Sequence, residues 1–245
     1  MRLKNFAAVT NEGPYLQVNE DGYDFDFEND IFMVLDGFGG SGTGDVAVTR
    51  LKQEIKTYYT QISDDPNATM PLYYNPRNIL EGNAVLNAMI HAHDNLLKKN
   101  AELPIGKRAG ASALVAVRAE SVLVLVGVGS CRAYHFRNGT LTRIISEDTL
   151  QFMAKDKFGP NFRSSPMSAF GLYPDLGFQV REVRISKGDK VLLLTDGAFS
   201  RIEEEELSYS LSKQAIDSQE RINNLLNLSN TRGNLDNQTA MILEF

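Results

Sequence analysis

An α+β protein with antiparallel sheets is the fold class that the sequence predicts. Apolar runs of strand length dominate the chain, a few long amphipathic helices interrupt them, and from Ala111 four strand-like runs follow one another with turn-length gaps. In order, "LKNFAAVT" (3–10) and "IFMVLDG" (31–37) read as strands. "TGDVAVTRLKQEIKTYYTQIS" (43–63) reads as a helix with Val46, Leu51, Ile55, Tyr58 and Ile62 along one face, and "DDPNATMPLYYNP" breaks it. A second helix over 78–100 places Leu86, Met89, His93 and Leu96 near one stripe. The runs 111–119, 121–129, 131–139 and 141–145 then read as strands in series, expected to be antiparallel neighbours. Asn138-Gly139 marks a hairpin between the last two, because both residues tolerate positive φ. The polar stretch from Ser146 to Met167, with "FGPNFRSSP", suits a mobile surface flap. "FQVREVRI" and "KVLLLTDG" are further strands, a helix is expected over 210–229, and a terminal strand follows Asp236. No repeat or linker divides the chain, so one domain over 1–245 is expected.

Composition narrows the function. A hydrophobic fraction of 42% with 23% charged residues is ordinary for a globular core. A formal charge of −6 argues against a nucleic acid bound through its phosphates. Cys131 is the one cysteine, which excludes an internal disulfide framework and a cysteine-rich zinc site and points to a reducing compartment. The N-terminal run has no signal-peptide pattern and no apolar stretch is long enough to cross a bilayer, so no membrane insertion and a cytoplasmic location are expected.

Two apolar strands stop at an acid, and a third acid stands just before an apolar strand: Asp36-Gly37, Asp196-Gly197 and Asp236-Asn237. Each dipeptide alone is also a common turn. Brought together, the carboxylates would repel, so either they lie apart in solvent or a cation holds them. Oxygen ligands without histidine or cysteine select a hard ion such as Mg²⁺ or Mn²⁺.

Other features have plainer readings. Gly37 to Gly42 matches G-x-G-x-x-G after a strand and before a helix, but Asp36 would press a negative charge on a pyrophosphate, and no second strand ending in an acid follows about 20 residues on. The same loop lacks a P-loop lysine. His91 and His93 lie two apart on a helix where metal-binding spacing is four, so one exposed and one packed histidine is expected. Cys131 reads as a small buried hydrophobe within a strand, Ser130 lacks a nucleophile elbow, and "RIEEEEL" reads as a solvated helix start.

Four segments in order, "NEDGYDFDFENDIFMVLDGFGG", "GASALVAV" with "VLVLVGVGSCRAYHFRNGTLTRI", "GDKVLLLTDG" and "DNQTAMILEF", resemble the motifs of the metal-dependent PPM, or type 2C, serine/threonine protein phosphatases along nearly the whole chain. Each is weak alone; the order and spacing are specific. The resemblance implies a four-layer α-β-β-α sandwich of two antiparallel sheets flanked by helices, with two Mn²⁺ or Mg²⁺ ions at one end. It implies that Asp36 bridges both ions, that the Gly37 carbonyl binds one, that Asp196 and Asp236 complete the other, and that Glu20 and Asp21 orient metal-bound waters. The implied reaction is hydrolysis of phosphoserine or phosphothreonine on a protein by water activated between two cations, with a serine/threonine kinase as the opposing partner.

Two positions depart from the family pattern. Leu16 stands where an arginine usually grips the substrate phosphate, leaving Arg132, Lys107, Arg108 and Arg163 as candidate substitutes. Ser130 stands where many bacterial members carry an acid associated with a third metal. These departures keep two rival readings open: a pseudophosphatase that binds phosphoproteins without hydrolysing them, and a small-molecule phosphatase using the same metals.

Overall fold

The computed structural model describes residues 2–39, 42–64, 69–154, 165–213 and 215–245. The chain runs through β1 (Asn5–Asn11), β2 (Gly22–Asp26), β3 (Ile31–Gly39), α1 (Gly44–Asp64), α2 (Leu80–Ala101), β4 (Ala109–Ala119), β5 (Val122–Val128), β6 (Arg132–Arg137), β7 (Thr140–Ile145), α3 (Leu150–Met153), β8 (Gln179–Arg184), β9 (Lys190–Leu194), α4 (Asp196–Phe199), α5 (Glu204–Ser212), α6 (Ser218–Thr231) and β10 (Gln238–Glu244). The strands form two antiparallel sheets of five, in the orders β1-β10-β9-β6-β7 and β2-β3-β4-β5-β8.

Side-chain alternation along the central strands explains the layering. Ile31, Met33 and Leu35 on β3, with Ala113, Val115 and Val117 on β4, pack under α1 and α2. The intervening Phe32, Val34, Leu114 and Ala116 face the other sheet, where Val191, Leu193, Met241 and Leu243 meet them. On the far side, Leu192, Leu194, Ala240 and Ile242 pack under Leu207 of α5 and Ile222, Leu225 and Leu226 of α6. Apolar on both faces, these strands read as continuous hydrophobic runs. The expected α-β-β-α sandwich is what forms.

Several elements differ from the sequence reading, each for a local reason. β5 and β6 are not neighbours: β5 is already paired with β4 and β8, and the chain crosses to the other sheet through Gly129–Cys131, with Gly129 at φ 83°. Cys131 therefore sits in the crossover and not in a strand, though it is buried as expected. The buried stripe of α1 is Ala47, Val48, Leu51, Ile55 and Tyr59, while Val46 is 52% exposed. The helix expected over 210–229 is two, because the Asp217 side chain accepts from the Glu220 amide and caps a new start at α6. β2 went unread; its Tyr23 and Phe25 pack at the margin of the inter-sheet core. Much of the expected flap, residues 155–164, lies outside the described residues.

The hairpin at Asn138-Gly139 has both residues at positive φ, 51° and 82°. α5 opens in the acidic run with a reciprocal capping box between Glu203 and Glu206. His93 is buried, while His91 is partly exposed and stacks on Tyr58.

Leu193 lies wholly within the inter-sheet core. Its replacement by alanine is expected to cost about 2–5 kcal/mol, read as a lower urea midpoint without a change of slope.

Candidate active site

At Asp21 and Asp36 the inter-sheet core ends in acids because strand parity carries the same face past the last apolar residue. On β3 the inward positions 32 and 34 are followed by Asp36, which sits opposite Ser112 of β4. The β2–β3 register pairs Gly22 with Leu35, so Asp21 falls opposite Asp36. In the other sheet the inward series of β9 continues to Thr195, whose Oγ1 donates to Asp21 Oδ2 at 2.7 Å and accepts from the Thr239 amide at 2.8 Å. Asp196 then opens α4, and Asp236 stands two residues before β10.

Asp36, Gly37, Asp196, Asp236 and Glu20 line one cavity of about 580 Å³. Asp21 lies behind it, buried. The cavity wall holds no lysine, arginine or histidine among the described residues.

Close crossings of the chain require the small residues beside two of the acids. A Cβ on Gly37 would stand 2.3 Å from the Glu20 carbonyl oxygen and 2.7 Å from that of Gly44; one on Gly197 would stand 1.9 Å from the Asn237 carbonyl oxygen. Asn237 ties the N-terminal loop to this crossing: its Oδ1 accepts from the Glu20 amide at 2.9 Å, and its Nδ2 donates to the Glu12 and Val18 carbonyls, each at 3.0 Å. Glu20 reaches the other way, its Oε1 accepting from the Gly44 amide at 2.6 Å and capping α1.

Ser130 does more than replace an acid. Its hydroxyl donates to Asp36 Oδ2. Ser112 Oγ lies 2.8 Å from Ser130 Oγ and accepts from the Ser130 amide at 3.0 Å. Since Ser130 has one hydroxyl hydrogen and gives it to Asp36, the Ser112 hydroxyl supplies the other contact. Two fully buried serines thereby hold one oxygen of Asp36.

The acids feel one another. Burial pushes the Asp36 carboxyl well above the usual carboxylate range, and the charges of Asp21 and Asp236 push it further, against the lowering effect of Ser130. Burial likewise raises Asp21, with Asp196 and Asp236 adding to it and the Thr195 hydroxyl opposing it. Burial is also the main reason the Cys131 thiol is held up, so it is no nucleophile at neutral pH.

The donor set suits hard cations: carboxylates and a backbone carbonyl, all oxygen. Among the described residues no group of three or more acidic, histidine or cysteine side chains is placed to hold a metal ion together. A small divalent ion that keeps much of its water shell needs only one or two carboxylates.

The candidate phosphate-binding cations among the described residues are placed elsewhere. Arg132 is paired with Glu147, Nε to Oε2 at 2.6 Å, and its guanidinium lies 3.9 Å from the centre of the Phe199 ring. Lys107 and Arg108 do not line the cavity, and Arg163 lies outside the described residues. Sequence reasoning missed Thr195, Asn237 and the Ser112–Ser130 pair as supports. The available signal was a polar residue inside or at the end of an apolar run, as in "ASALVAV" and "VLLLT".

A fold that raises carboxyl pKa values binds more protons than the unfolded chain, so without cations its stability falls as pH rises from the usual carboxylate range through the raised values. The thermal midpoint in chelator is therefore expected to drop between pH 5 and pH 8. Asp36→Asn flattens that slope, and Mn²⁺ raises the midpoint more at pH 8 than at pH 5.

No family model matches the chain. The serine/threonine phosphatase stp of Listeria welshimeri is 24% identical over 264 residues, covering 96% of this chain and 93% of that protein. The PPM Ser-Thr phosphatase MsPP from Mycobacterium smegmatis, solved with cacodylate, aligns over 100% of both chains with a TM-score of 0.79 at 19% identity. The catalytic domain of the serine/threonine phosphatase PstP, solved with two manganese ions, aligns over 98% of this chain and 97% of that one with a TM-score of 0.73 at 23% identity. With its two five-stranded sheets, its outer helices and its acids gathered at one end, this chain has the fold of the PPM serine/threonine phosphatases from β1 to β10.

Proposed function

We propose that residues 1–245 act as one catalytic domain, a serine/threonine protein phosphatase that depends on two Mn²⁺ or Mg²⁺ ions. The observation that carries this reading is the conversion of the inter-sheet core into acids that line a cavity without a described basic side chain. The Asp36 carboxylate and Gly37 carbonyl would hold one ion, Asp36 would reach the second, and Asp196 and Asp236 would complete it. Bound there, the cations supply the charge that makes a water nucleophilic near neutral pH and that balances the phosphoryl oxygens. Asp21, buried and held by Thr195, and Glu20, fixed at the start of α1, would orient water bound to the cations. Ser130 fixes the Asp36 carboxylate, so its remaining lone pairs point in set directions.

The fold shared with serine/threonine phosphatases supports a phosphorylated protein as substrate; a serine/threonine kinase would then be the opposing enzyme. A cytoplasmic setting accords with the single buried free thiol and with the lack, among the described residues, of any helix long and apolar enough to cross a membrane. One observation favours a second reading. With Leu16 in the wall, the site has no side-chain clamp for phosphate among the described residues, as in a module that binds phosphoproteins without turning them over or one that acts on small phosphate esters.

Phosphate release from a phosphothreonine peptide with Mn²⁺ tests the proposal. Chelator is expected to abolish it, and Asp36→Asn and Asp236→Asn to lower kcat by a factor on the order of 10³; full activity in either variant would refute the assignment. Ser130→Ala is expected to weaken Mn²⁺ binding about 10–100-fold by calorimetry, with the fold retained.

A further inference from the structure

Part of the wall of the acidic cavity is apolar. Leu16, Val18, Phe38, Pro166, Leu172 and Tyr173 stand around the carboxylates. Large apolar groups left open to solvent beside a polar site mark a binding surface, and two of these are held open by rigid construction. Leu172 is 36% and Tyr173 42% exposed.

The segment that carries them is anchored from beneath. Phe170 is fully buried, and its amide donates to the Ala111 carbonyl at 2.9 Å. The Gly171 amide donates to His93 Nδ1 at 3.2 Å, and the Gly171 carbonyl accepts from Asn100 Nδ2 at 2.7 Å. Gly171 has φ 76°, and a Cβ there would strike Leu96 at 2.5 Å, so the backbone is pulled tight against α2. The next two side chains are turned outward. Leu172 and Phe38 meet over Gly110, where an added Cβ would lie 2.6 Å from Leu172 and 3.0 Å from Phe38. An apolar shelf is thus built into the sandwich, one strand position beyond Gly37.

We propose that this shelf selects the substrate: it receives a large apolar side chain next to the phosphorylated residue of a peptide, with Leu172 as the specificity-determining residue. This rests on the phosphatase reading, since the shelf and the acids share one cavity. Continuity points the same way. Phe38, Leu172 and Tyr173 line the same cavity as Asp36, Asp196 and Asp236, so a side chain next to a phosphate held at the acids' cations would lie against the shelf.

The test compares phosphothreonine peptides bearing leucine or glutamate on either side of the phosphorylated residue, with Mn²⁺ present. Turnover is measured as kcat/KM, and binding is followed by anisotropy of fluorescein-labelled peptides carrying a non-hydrolysable phosphonate. The leucine peptide is expected to exceed the glutamate peptide about 10-fold in both readouts, the ratio collapsing toward one in Leu172→Ser and returning in Leu172→Met. Turnover with equal kcat/KM and equal binding for both peptides would overturn the shelf and leave the phosphatase standing. Leucine-dependent binding without turnover would keep the shelf and refute the phosphatase. A ratio that persists unchanged in Leu172→Ser would overturn the assignment to Leu172.

Discussion

The repulsion among carboxylates at one end of a dry core is the constraint on which the rest of the structure depends. Two like charges about 4 Å apart near a protein surface interact at roughly 4 kcal/mol, and a whole domain is stable by only about 5–15 kcal/mol. Asp21, Asp36, Asp196 and Asp236, which raise or are raised by one another, would loosen the fold if they could move apart. They cannot, because Asp36, Asp196 and Asp236 stand at or beside the ends of strands paired on both edges, and Asp21 is tied to Thr195 from the opposite sheet. The strain falls instead on protonation, which a cation bound there would relieve.

Holding acids this close requires holding the chain close. The glycines after Asp36 and Asp196 serve proximity more than turning, since neither has a positive φ and each leaves room for a neighbouring carbonyl where a Cβ would collide. The supports come from both sheets. Ser112 and Ser130 act from the sheet of β3 and from the crossover, Thr195 from the other sheet, and Asn237 from the loop that locks the N-terminal segment against β10. None of these groups is acidic, yet they decide where the acidic groups point.

What was legible in the sequence was what is periodic and local. β3, β9 and β10 announce themselves because they are apolar on both faces, and the three acids stand out because each breaks or precedes such a run. The strand β2 was hidden because Asp24 and Asp26 alternate with Tyr23 and Phe25, making a half-polar edge. The exchange of sheets between β5 and β6 was not readable from turn length, since a tight link fits a hairpin as well as a crossover; which forms depends on partners far away in the chain. Arg132 looked suited to phosphate until Glu147, 15 residues on, was seen to take its guanidinium. Val46 fell on the wrong side of α1 because the buried stripe follows Ala47, Leu51, Ile55 and Tyr59, whose first member is too small to dominate a pattern.

The pairing of β1 with β10 sets Asn5 beside Glu244 at one end of the ladder and Asn11 beside Gln238 at the other. The acids gather at the second end, next to Asp236, so both chain termini emerge side by side at the opposite pole. The same pairing makes the site an all-or-none product of folding: Asp21 comes from the first tenth of the chain and Asp236 from the last, and they share a cavity region only once the most distant segments have met. A chain cut before Asp236 therefore lacks both that acid and the Asn237 bonds that hold the N-terminal loop in place.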